Sequence, residues 1–483
     1  MLEFRCPLRE AALRSAQRPA VIGPDQTLSY GDLDRRVSAA AFQLKKSGCR
    51  EGERVALWLP NGTASLVFIL ALFRIHAVAC LLNTRLLYGN ISPLLQGIGC
   101  GKLIALPDAG LGTALNEVQW LDPEAMLAAP TETPGPWIDY SFNADQPATV
   151  MFTSGSQGTP KAVLHSYANH WYSAHGANEN VRLEPGDRWL LALPLYHAGG
   201  LGIVFRCMLR GAALVLPDPA GATEQTIDRY GVTHISMVPT QLYRSLRVWK
   251  KAHSTVGLKA VLLGGAPIPP ALIREGHALG LPLFTSYGLT EMASQVTTTD
   301  SKTPLEKLTT AGKVLPYRRV QIQPTGEISV QGKTLFLGYL EGDRVLQAAD
   351  SQGWFATGDV GQMDGEGYLT ILGRQDNMFI SGGENIHPEE IERVLCGLEG
   401  VEQAIVVPVP DEEFGERPFA FVQVAGQAIN AKDMTKELSA LLPRYKVPLG
   451  FHPLPDGAPP EGLKPQRRLL KQRALDARRE RSS

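Results

Sequence analysis

Residues 148–161 read Ala148-Thr149-Val150-Met151-Phe152-Thr153-Ser154-Gly155-Ser156-Gln157-Gly158-Thr159-Pro160-Lys161. An apolar, strand-like run over 148–152 opens into small and hydroxylic residues and closes on a lysine. Small residues let backbone N–H groups approach an anion, hydroxyls add donors, and the lysine adds positive charge. The stretch is not the nucleotide loop G-x-x-x-x-G-K-[ST]. No glycine directly precedes Lys161 and no hydroxyl follows it. Taken alone, it reads as a phosphate loop or as a surface turn.

Outward from this point the chain alternates strand and helix patterns. Leu28-Ser29-Tyr30-Gly31-Asp32-Leu33 reads as a strand end running into a helix with Ser29 as cap. Leu33, Val37, Ala40, Ala41 and Leu44 then recur at helical spacing through Lys46. Val55–Leu59 reads as a buried strand stopped by Pro60-Asn61-Gly62, and Ala64–Ile75 as helix. The segment Asp122–Pro147, with Pro130, Pro134, Pro136 and Pro147, reads as a connecting loop. Strand texture returns at 189–193, 212–216 and 260–263. Such alternation predicts an α/β fold with a mostly parallel sheet. From Gly326 the texture changes to short strands with glycine turns. After Gly373-Arg374-Gln375-Asp376-Asn377, helix 388–398, strands 401–407 and 419–424 and helix 431–442 form an α+β unit of domain size. The expected division is a large N-terminal domain of packed α/β subdomains over 1–375 and a small C-terminal domain over 376–483.

Composition narrows the function classes. Lysine plus arginine is 47 against 48 for aspartate plus glutamate, a balance that argues against a general nucleic-acid binder. Six cysteines at 6, 49, 80, 100, 207 and 396 form no C-x-x-C pair, so neither a zinc site nor a disulfide framework is expected. The longest apolar run, Ala64–Phe73, falls short of the ~18 residues that suggest a membrane span. Glu3 and Glu10 with no apolar stretch between them argue against a secretory signal. The expectation is a cytoplasmic protein without a membrane span.

Three further stretches carry chemistry. Tyr287-Gly288-Leu289-Thr290-Glu291-Met292 sets a carboxylate beside a hydroxyl, which suits Mg²⁺ with phosphate oxygens or, more plainly, a helix cap. Gly353–Asp359 followed by Gly373-Arg374 offers an acidic acceptor for ribose hydroxyls and an arginine, or an ordinary turn with a surface ion pair. Ser381-Gly382-Gly383-Glu384-Asn385-Ile386-His387-Pro388 reads as a glycine-rich loop at a helix N-terminus, suited to an anion or only to a tight turn.

Each motif is modest alone, but their order is specific. Together they resemble the adenylate-forming superfamily of acyl-CoA synthetases, nonribosomal adenylation domains and firefly-type luciferases, and the resemblance runs from Leu28 to Lys464. It implies an enzyme in which a carboxylate attacks the α-phosphorus of ATP and a thiol then displaces AMP, with ATP, Mg²⁺ and coenzyme A as partners. By the match, Thr153, Ser154, Gly155, Ser156, Gly158, Thr159 and Lys161 wrap the β- and γ-phosphates, with Gln157 and Ala162 as departures from the usual hydroxyl and glycine. Gly264-Gly265-Ala266-Pro267 lies along adenine and Tyr287, followed by Gly288, stacks on the ring. Thr290 nears the α-phosphate and Glu291 is the Mg²⁺ ligand. Asp359 accepts from the ribose with Arg374 assisting. Asp376 is the hinge about which a mobile C-terminal domain swings, bringing Gly382 and Gly383 toward the thiol channel. The catalytic lysine is Lys464, in the irregular segment Pro460-Glu461-Gly462-Leu463-Lys464-Pro465-Gln466-Arg467-Arg468, which lacks the usual hydroxyl. The basic tail beyond it reads as a solvated helix.

Within the superfamily the middle segment resembles the o-succinylbenzoate–CoA ligase branch of menaquinone or phylloquinone biosynthesis. The carrying residues are His170–Ala174, Asp187–His197, Ala198–Arg206 and Glu291–Val296. A diacid needs a cation for its unreacted carboxylate, because an unpaired buried carboxylate is costly. Arg206 follows the apolar run 201–205, where a pocket-lining helix is expected to begin. His197 matches the gating position beside the reacting carboxylate, and Gly200, Ser294 and Gln295 complete the expected acid site. Other acyl- or aryl-CoA ligases, and a nucleotide-binding regulator that has lost catalysis, are the alternatives. A homo-oligomer is compatible with the resemblance, and no residue pattern derives one.

Overall fold

The structure is a computed structural model that describes residues 3–86, 88–107, 118–129, 140–153, 160–218, 221–252, 257–424, 430–455 and 467–482. Local signals act as their chemistry dictates. Ser29 ends the strand Thr27–Ser29 and caps the helix Tyr30–Lys46. Its hydroxyl accepts from the Asp32 N–H, and the Asp32 carboxylate accepts from the Ser29 N–H, each at 3.1 Å. Leu33, Val37, Ala40, Ala41 and Leu44 are its buried face. The helix Thr63–Arg74 is buried from Ser65 onward, as its unbroken apolar run requires.

The alternation builds two large sheets rather than one. An eight-stranded sheet runs 344–346, 338–341, 161–166, 147–153, 78–81, 54–58, 102–105, 119–121. A nine-stranded sheet runs 313–314, 294–298, 283–289, 260–263, 234–237, 188–190, 213–215, 19–22, 27–29. Both have a parallel centre; the nine-stranded sheet has antiparallel strands at both edges, the eight-stranded sheet only on the side of 161–166, 338–341 and 344–346. The largest core cluster joins Val55, Leu57 and Ile104 of the first sheet to Val21, Trp189 and Leu214 of the second, with the helices 30–46, 63–74 and 198–210 contributing between them. A four-stranded antiparallel sheet, Arg318–Ile322, Glu327–Gly332, Phe355–Met363 and Leu369–Arg374, follows. A five-stranded sheet uses only residues after Asp376 and has its own apolar core. The chain thus has a large N-terminal part of packed α/β layers and a small α+β C-terminal part. The helix Pro388–Leu395 seats the latter against Leu369–Arg374, where Arg393 donates to the Ile371 carbonyl at 2.6 Å.

Four expectations need correction. Residues 122–147 are not simply loop. Asp122 caps the helix Pro123–Ala128 by accepting from Glu124 and Ala125 N–H groups, and Ser141–Asn143 pairs with Glu3–Arg5. Proline at the first helical position starts a helix as readily as it breaks one. Gly382 and Gly383 are not at a helix N-terminus. They take φ of +58° and +86° as the two-residue turn of a hairpin between Phe379–Ser381 and Glu384–Ile386. The helix near Arg206 begins at Ala198, so the apolar run 201–205 lies inside it. The basic tail is a helix, Arg467–Ser482, but it is not wholly solvated: Leu470 and Ala474 are buried against Ile405, Val407, Phe419 and Phe421.

Candidate active site

Ligands of parallel sheets collect at the carboxyl ends of the strands. Thr153 ends the strand Pro147–Thr153 and pairs in register with Lys161, which opens Lys161–Ser166. Ser154, Gly155, Ser156, Gln157, Gly158 and Thr159 lie outside the described residues. The Lys161 ammonium stands 4.8 Å from the centre of the Tyr339 ring. The Tyr339 hydroxyl in turn donates to Glu291 Oε1 at 2.9 Å. Burial, then the Glu291 charge, pushes the Tyr339 phenol above its ordinary range. Loop base, tyrosine and carboxylate therefore meet at one place. Tyr339 carries no motif of its own. Only the antiparallel pairing of Val163 with Tyr339 brings it there.

A second group lies along the neighbouring strand ends. Gly264-Gly265-Ala266-Pro267 follows Ala260–Leu263, and a Cβ on Gly264 would stand 2.7 Å from the Ser286 hydroxyl. A side chain there would have to displace the Ser286 hydroxyl from its bond to the Leu263 carbonyl. Tyr287 donates to Asp359 Oδ2 at 2.6 Å. Asp359 sits directly opposite Arg374 across the strand pair, and Arg374 donates to Asp359 Oδ1 at 3.1 Å and to the Thr357 carbonyl at 3.0 Å. The other Arg374 terminal nitrogen reaches Asp376 at 3.1 Å. The adenine, ribose and hinge candidates are thus one connected chain of hydrogen bonds.

The turn 290–294 stands between two subsites. Thr290–Met292 is a single 3-10 turn, and Ala293 and Ser294 follow with φ of +52° and +117°. Two successive left-handed non-glycine residues cost about 1–3 kcal/mol each and persist only where the surroundings over-determine them. Three side chains grip this backbone, and the Phe336 N–H donates to the Glu291 carbonyl at 2.8 Å. The His165 imidazole donates to the Thr290 carbonyl at 2.7 Å, Ser173 to the Ala293 carbonyl at 2.8 Å and Arg318 to the Gln295 carbonyl at 2.6 Å. Gly288 faces the same bend, where a Cβ would stand 2.3 Å from the Ser294 carbonyl oxygen. Glu291 points to Tyr339, while the Ser294 hydroxyl lies 3.5 Å from Arg206.

Arg206 is 2% exposed on the helix Ala198–Arg210, with its guanidinium 5.3 Å from the Trp189 ring. Among the described residues no carboxylate pairs with it, and its Nε has no hydrogen-bond partner. Buried Asn178 Oδ1 and Gln295 Oε1 are also unpartnered nearby; Asn178 donates to the Arg206 carbonyl and Gln295 follows Ser294. Burial lowers the Arg206 pKa to about 10. Arg318 is equally buried, but it spends its donors on Gln295, Pro316 and Ser173. Arg206 is the arginine left with binding capacity. His197 caps the same helix at its N-terminus, about two and a half turns away. Its imidazole reaches solvent yet is hemmed in enough that desolvation, then Arg85, holds its pKa below the ordinary value. Gly200 is buried where a Cβ would strike the Pro194 carbonyl at 2.1 Å, so the helix start cannot carry a side chain there.

Lys464 lies outside the described residues. Arg467, just beyond, is clamped by Glu392 and by Glu389 at 3.2 Å, and Glu389 also accepts from Asn377, next to Asp376, at 2.6 Å. The hydrogen bonds of the Gly382–Gly383 hairpin run to Phe414 and Gly415 within the C-terminal sheet. Among the described residues no three metal-ligating side chains cluster. A lone hard carboxylate such as Glu291 fits Mg²⁺ that is shared with phosphate oxygens. A separate cavity of about 250 Å³, lined by residues such as Glu179, Asp300, Lys313 and Tyr368, contains none of the expected site residues.

A phosphate-loop base, a carboxylate, a ribose-type acceptor pair and a buried arginine with no carboxylate partner among the described residues, set on two α/β sheets and the four-stranded sheet of a chain that ends in a small C-terminal domain, define an adenylate-forming enzyme. The chain belongs to the AMP-binding enzyme family, whose model matches residues 8–340, with the AMP-binding enzyme C-terminal domain matching 390–459. Among its relatives is the 2-succinylbenzoate–CoA ligase of Bacillus pumilus (strain SAFR-032), 34% identical over 92% of this chain and 93% of that protein. The Bacillus subtilis (strain 168) ligase of the same name is 32% identical over 98% of both. The o-succinylbenzoate CoA synthetase of B. subtilis, solved with its acyl-adenylate intermediate, superposes with a TM-score of 0.88 at 32% identity, covering 98% of this chain and 99% of that one. The same synthetase solved with ATP and magnesium ion gives a TM-score of 0.89 at 32% identity, over 97% and 100%.

Proposed function

We propose that this chain is an ATP-dependent 2-succinylbenzoate–CoA ligase. A carboxylate oxygen of the acid attacks the α-phosphorus of ATP and pyrophosphate leaves; the coenzyme A thiol then attacks the acyl carbon and AMP leaves. The observation that carries the acid assignment is Arg206, a buried guanidinium that among the described residues has no carboxylate partner and an idle Nε. A diacid brings the missing counterion, whereas a simple fatty acid or benzoate would leave the charge unpaired. Ser294, Asn178 and Gln295 supply further polar contacts, and His197, neutral at pH 7, stands at the start of the same helix beside the reacting carboxylate.

The first step asks mainly for positioning and charge neutralisation. Lys161 and the loop before it hold the outer phosphates. Mg²⁺, held by Glu291, would neutralise phosphate charge. Asp359 uses one lone pair per oxygen on Tyr287 and Arg374, so each oxygen keeps capacity for a ribose hydroxyl. Lys464 bridges carboxylate and α-phosphate. A boundary at 375/376 with Asp376 as hinge lets the small domain exchange roles between the two steps. Quinone biosynthesis in the cytoplasm is the setting that agrees with this chemistry; among the described residues no helix is long and apolar enough to cross a membrane.

The test is pyrophosphate release from ATP with 2-succinylbenzoate, benzoate, a medium-chain fatty acid and acetate, with and without coenzyme A. Selective release with 2-succinylbenzoate, and a thioester only when coenzyme A is present, is expected. Preference for a monocarboxylate would remove the acid assignment and keep the mechanism.

A further inference from the structure

The strand returning from the phosphate loop carries a buried histidine that the chemistry above does not use. His165 Nε2 lies 2.7 Å from the Thr290 carbonyl and its Nδ1 3.4 Å from the Thr149 hydroxyl. His170 Nε2 lies 2.7 Å from that same hydroxyl. All three side chains are buried. A carbonyl only accepts, so His165 Nε2 donates to Thr290. Burial lowers the His165 pKa to about 4, so the ring is neutral and carries its one hydrogen on Nε2. Thr149 links the two imidazoles, closely to His170 and loosely to His165 Nδ1.

We propose that His165 is a positioning residue for both subsites: its bond to the Thr290 carbonyl sets the 290–294 turn so that Glu291 faces Tyr339 and Lys161 while Ser294 faces Arg206. Ser173 and Arg318 hold the acid-side end of this turn, at the Ala293 and Gln295 carbonyls. At the Glu291 end the Phe336 N–H donates to the Glu291 carbonyl at 2.8 Å and Tyr339 to its carboxylate, and His165 is the side chain that donates to the Thr290 carbonyl. The same cluster reaches the acid site, because the His170 ring stacks on Phe205, next to Arg206, at 5.2 Å and 20°. The proposal rests on the assignment of Glu291 to magnesium and ATP.

The experiment compares His165→Gln with His165→Asn. A glutamine amide reaches where Nε2 stood and can still donate to Thr290, whereas an asparagine amide stops near Nδ1. ATP affinity is measured by calorimetry with Mg²⁺ and with chelator, alongside melting temperature and pyrophosphate release. The asparagine variant is expected to lose about tenfold in Mg²⁺-dependent ATP affinity, with the chelator value moving less than about twofold and the glutamine variant staying within about threefold of the parent. Equal affinities for both variants, or losses that follow melting temperature alone, overturn the proposal. ATP binding does not need the acid. A wrong acid assignment thus shows as silent pyrophosphate release with the variant pattern intact, whereas a wrong role for His165 shows as an unchanged pattern. A parent protein whose ATP affinity ignores Mg²⁺ overturns both the Glu291 assignment and this proposal.

Discussion

Arg206 holds a charge that the described part of the fold leaves without a counterion. Burying an unpaired ion is costly, so this residue is maintained at the expense of the empty protein. Two outcomes follow at this scale. Arg206→Met is expected to hold or raise the melting temperature of the empty protein, since replacing buried ions by apolar groups of similar volume is often neutral or gains about 1–4 kcal/mol. The same variant is expected to raise KM for 2-succinylbenzoate by about thirtyfold or more while KM for ATP moves by less than about twofold. A lower melting temperature with an unchanged KM for the acid would make Arg206 a structural residue. Lys464→Ala is expected to abolish adenylate formation and to spare thioester formation from supplied adenylate; equal loss in both half-reactions would move the catalytic lysine elsewhere. Motif residues such as Lys161, Glu291, Asp359 and Arg374 were legible because their spacing along the chain is itself the signal. Tyr339, Arg318 and His165 were not. Each acts through a partner distant in sequence, more than a hundred residues away for Arg318 and His165 and 48 residues away for Tyr339.

At the scale of elements, the helix Ala198–Arg210 and the turn 290–294 do the positioning. The helix can start where it does because Gly200 leaves room for the Pro194 carbonyl. Gly200→Ala is expected to cost about 1–3 kcal/mol in urea unfolding and to raise KM for the acid, because overpacking shifts the helix that carries both His197 and Arg206. An alanine variant with unchanged stability would mean that the contact relaxes freely. Local capping and periodicity revealed the helices 30–46 and 63–74 and several central strands in advance, but not most of the short strands. The exception at Asp122-Pro123 is instructive. Proline clustering was read as loop, yet an aspartate followed by proline is also the opening of a helix.

At the scale of the molecule, the two parts of the chain touch at Arg393–Ile371 and also through Glu402, which accepts from Tyr243 and from Arg247 at 2.7 Å. The proposed swing about Asp376 would have to break the Glu402 contact. The Arg247 side chain is 57% exposed, and such pairs contribute at most about 1 kcal/mol. Glu402→Gln is therefore expected to change the ratio of the two half-reaction rates by no more than about fivefold; a larger change would make this contact a principal lock. Acid stability is a second global property. His165 titrates near 4 in the fold against an ordinary value of 6.5, and burial also depresses His170. Between those values the unfolded chain binds protons that the fold excludes. Stability is thus full above about pH 6.5 and falls toward pH 4, by about 3 kcal/mol for His165 alone. Urea unfolding from pH 7.5 to 4.5 is expected to show this slope and to flatten in His165→Gln; an equal slope in the variant would assign the effect to other groups.

What the amino-acid order determined alone was local and combinatorial: which segments are strand or helix, and which small, hydroxylic and charged residues occur in the order of an adenylate-forming enzyme. Those properties depend on neighbours a few residues apart, so they survive without coordinates. The tertiary structure decided the rest. It divided the alternation between two sheets, turned the Gly382–Gly383 loop into a hairpin and half-buried the basic tail. It also separated Arg206 from Arg318, two buried arginines of which only one has its donors spent. A donor's remaining capacity is set by what surrounds it in space, and no spacing along the chain records it.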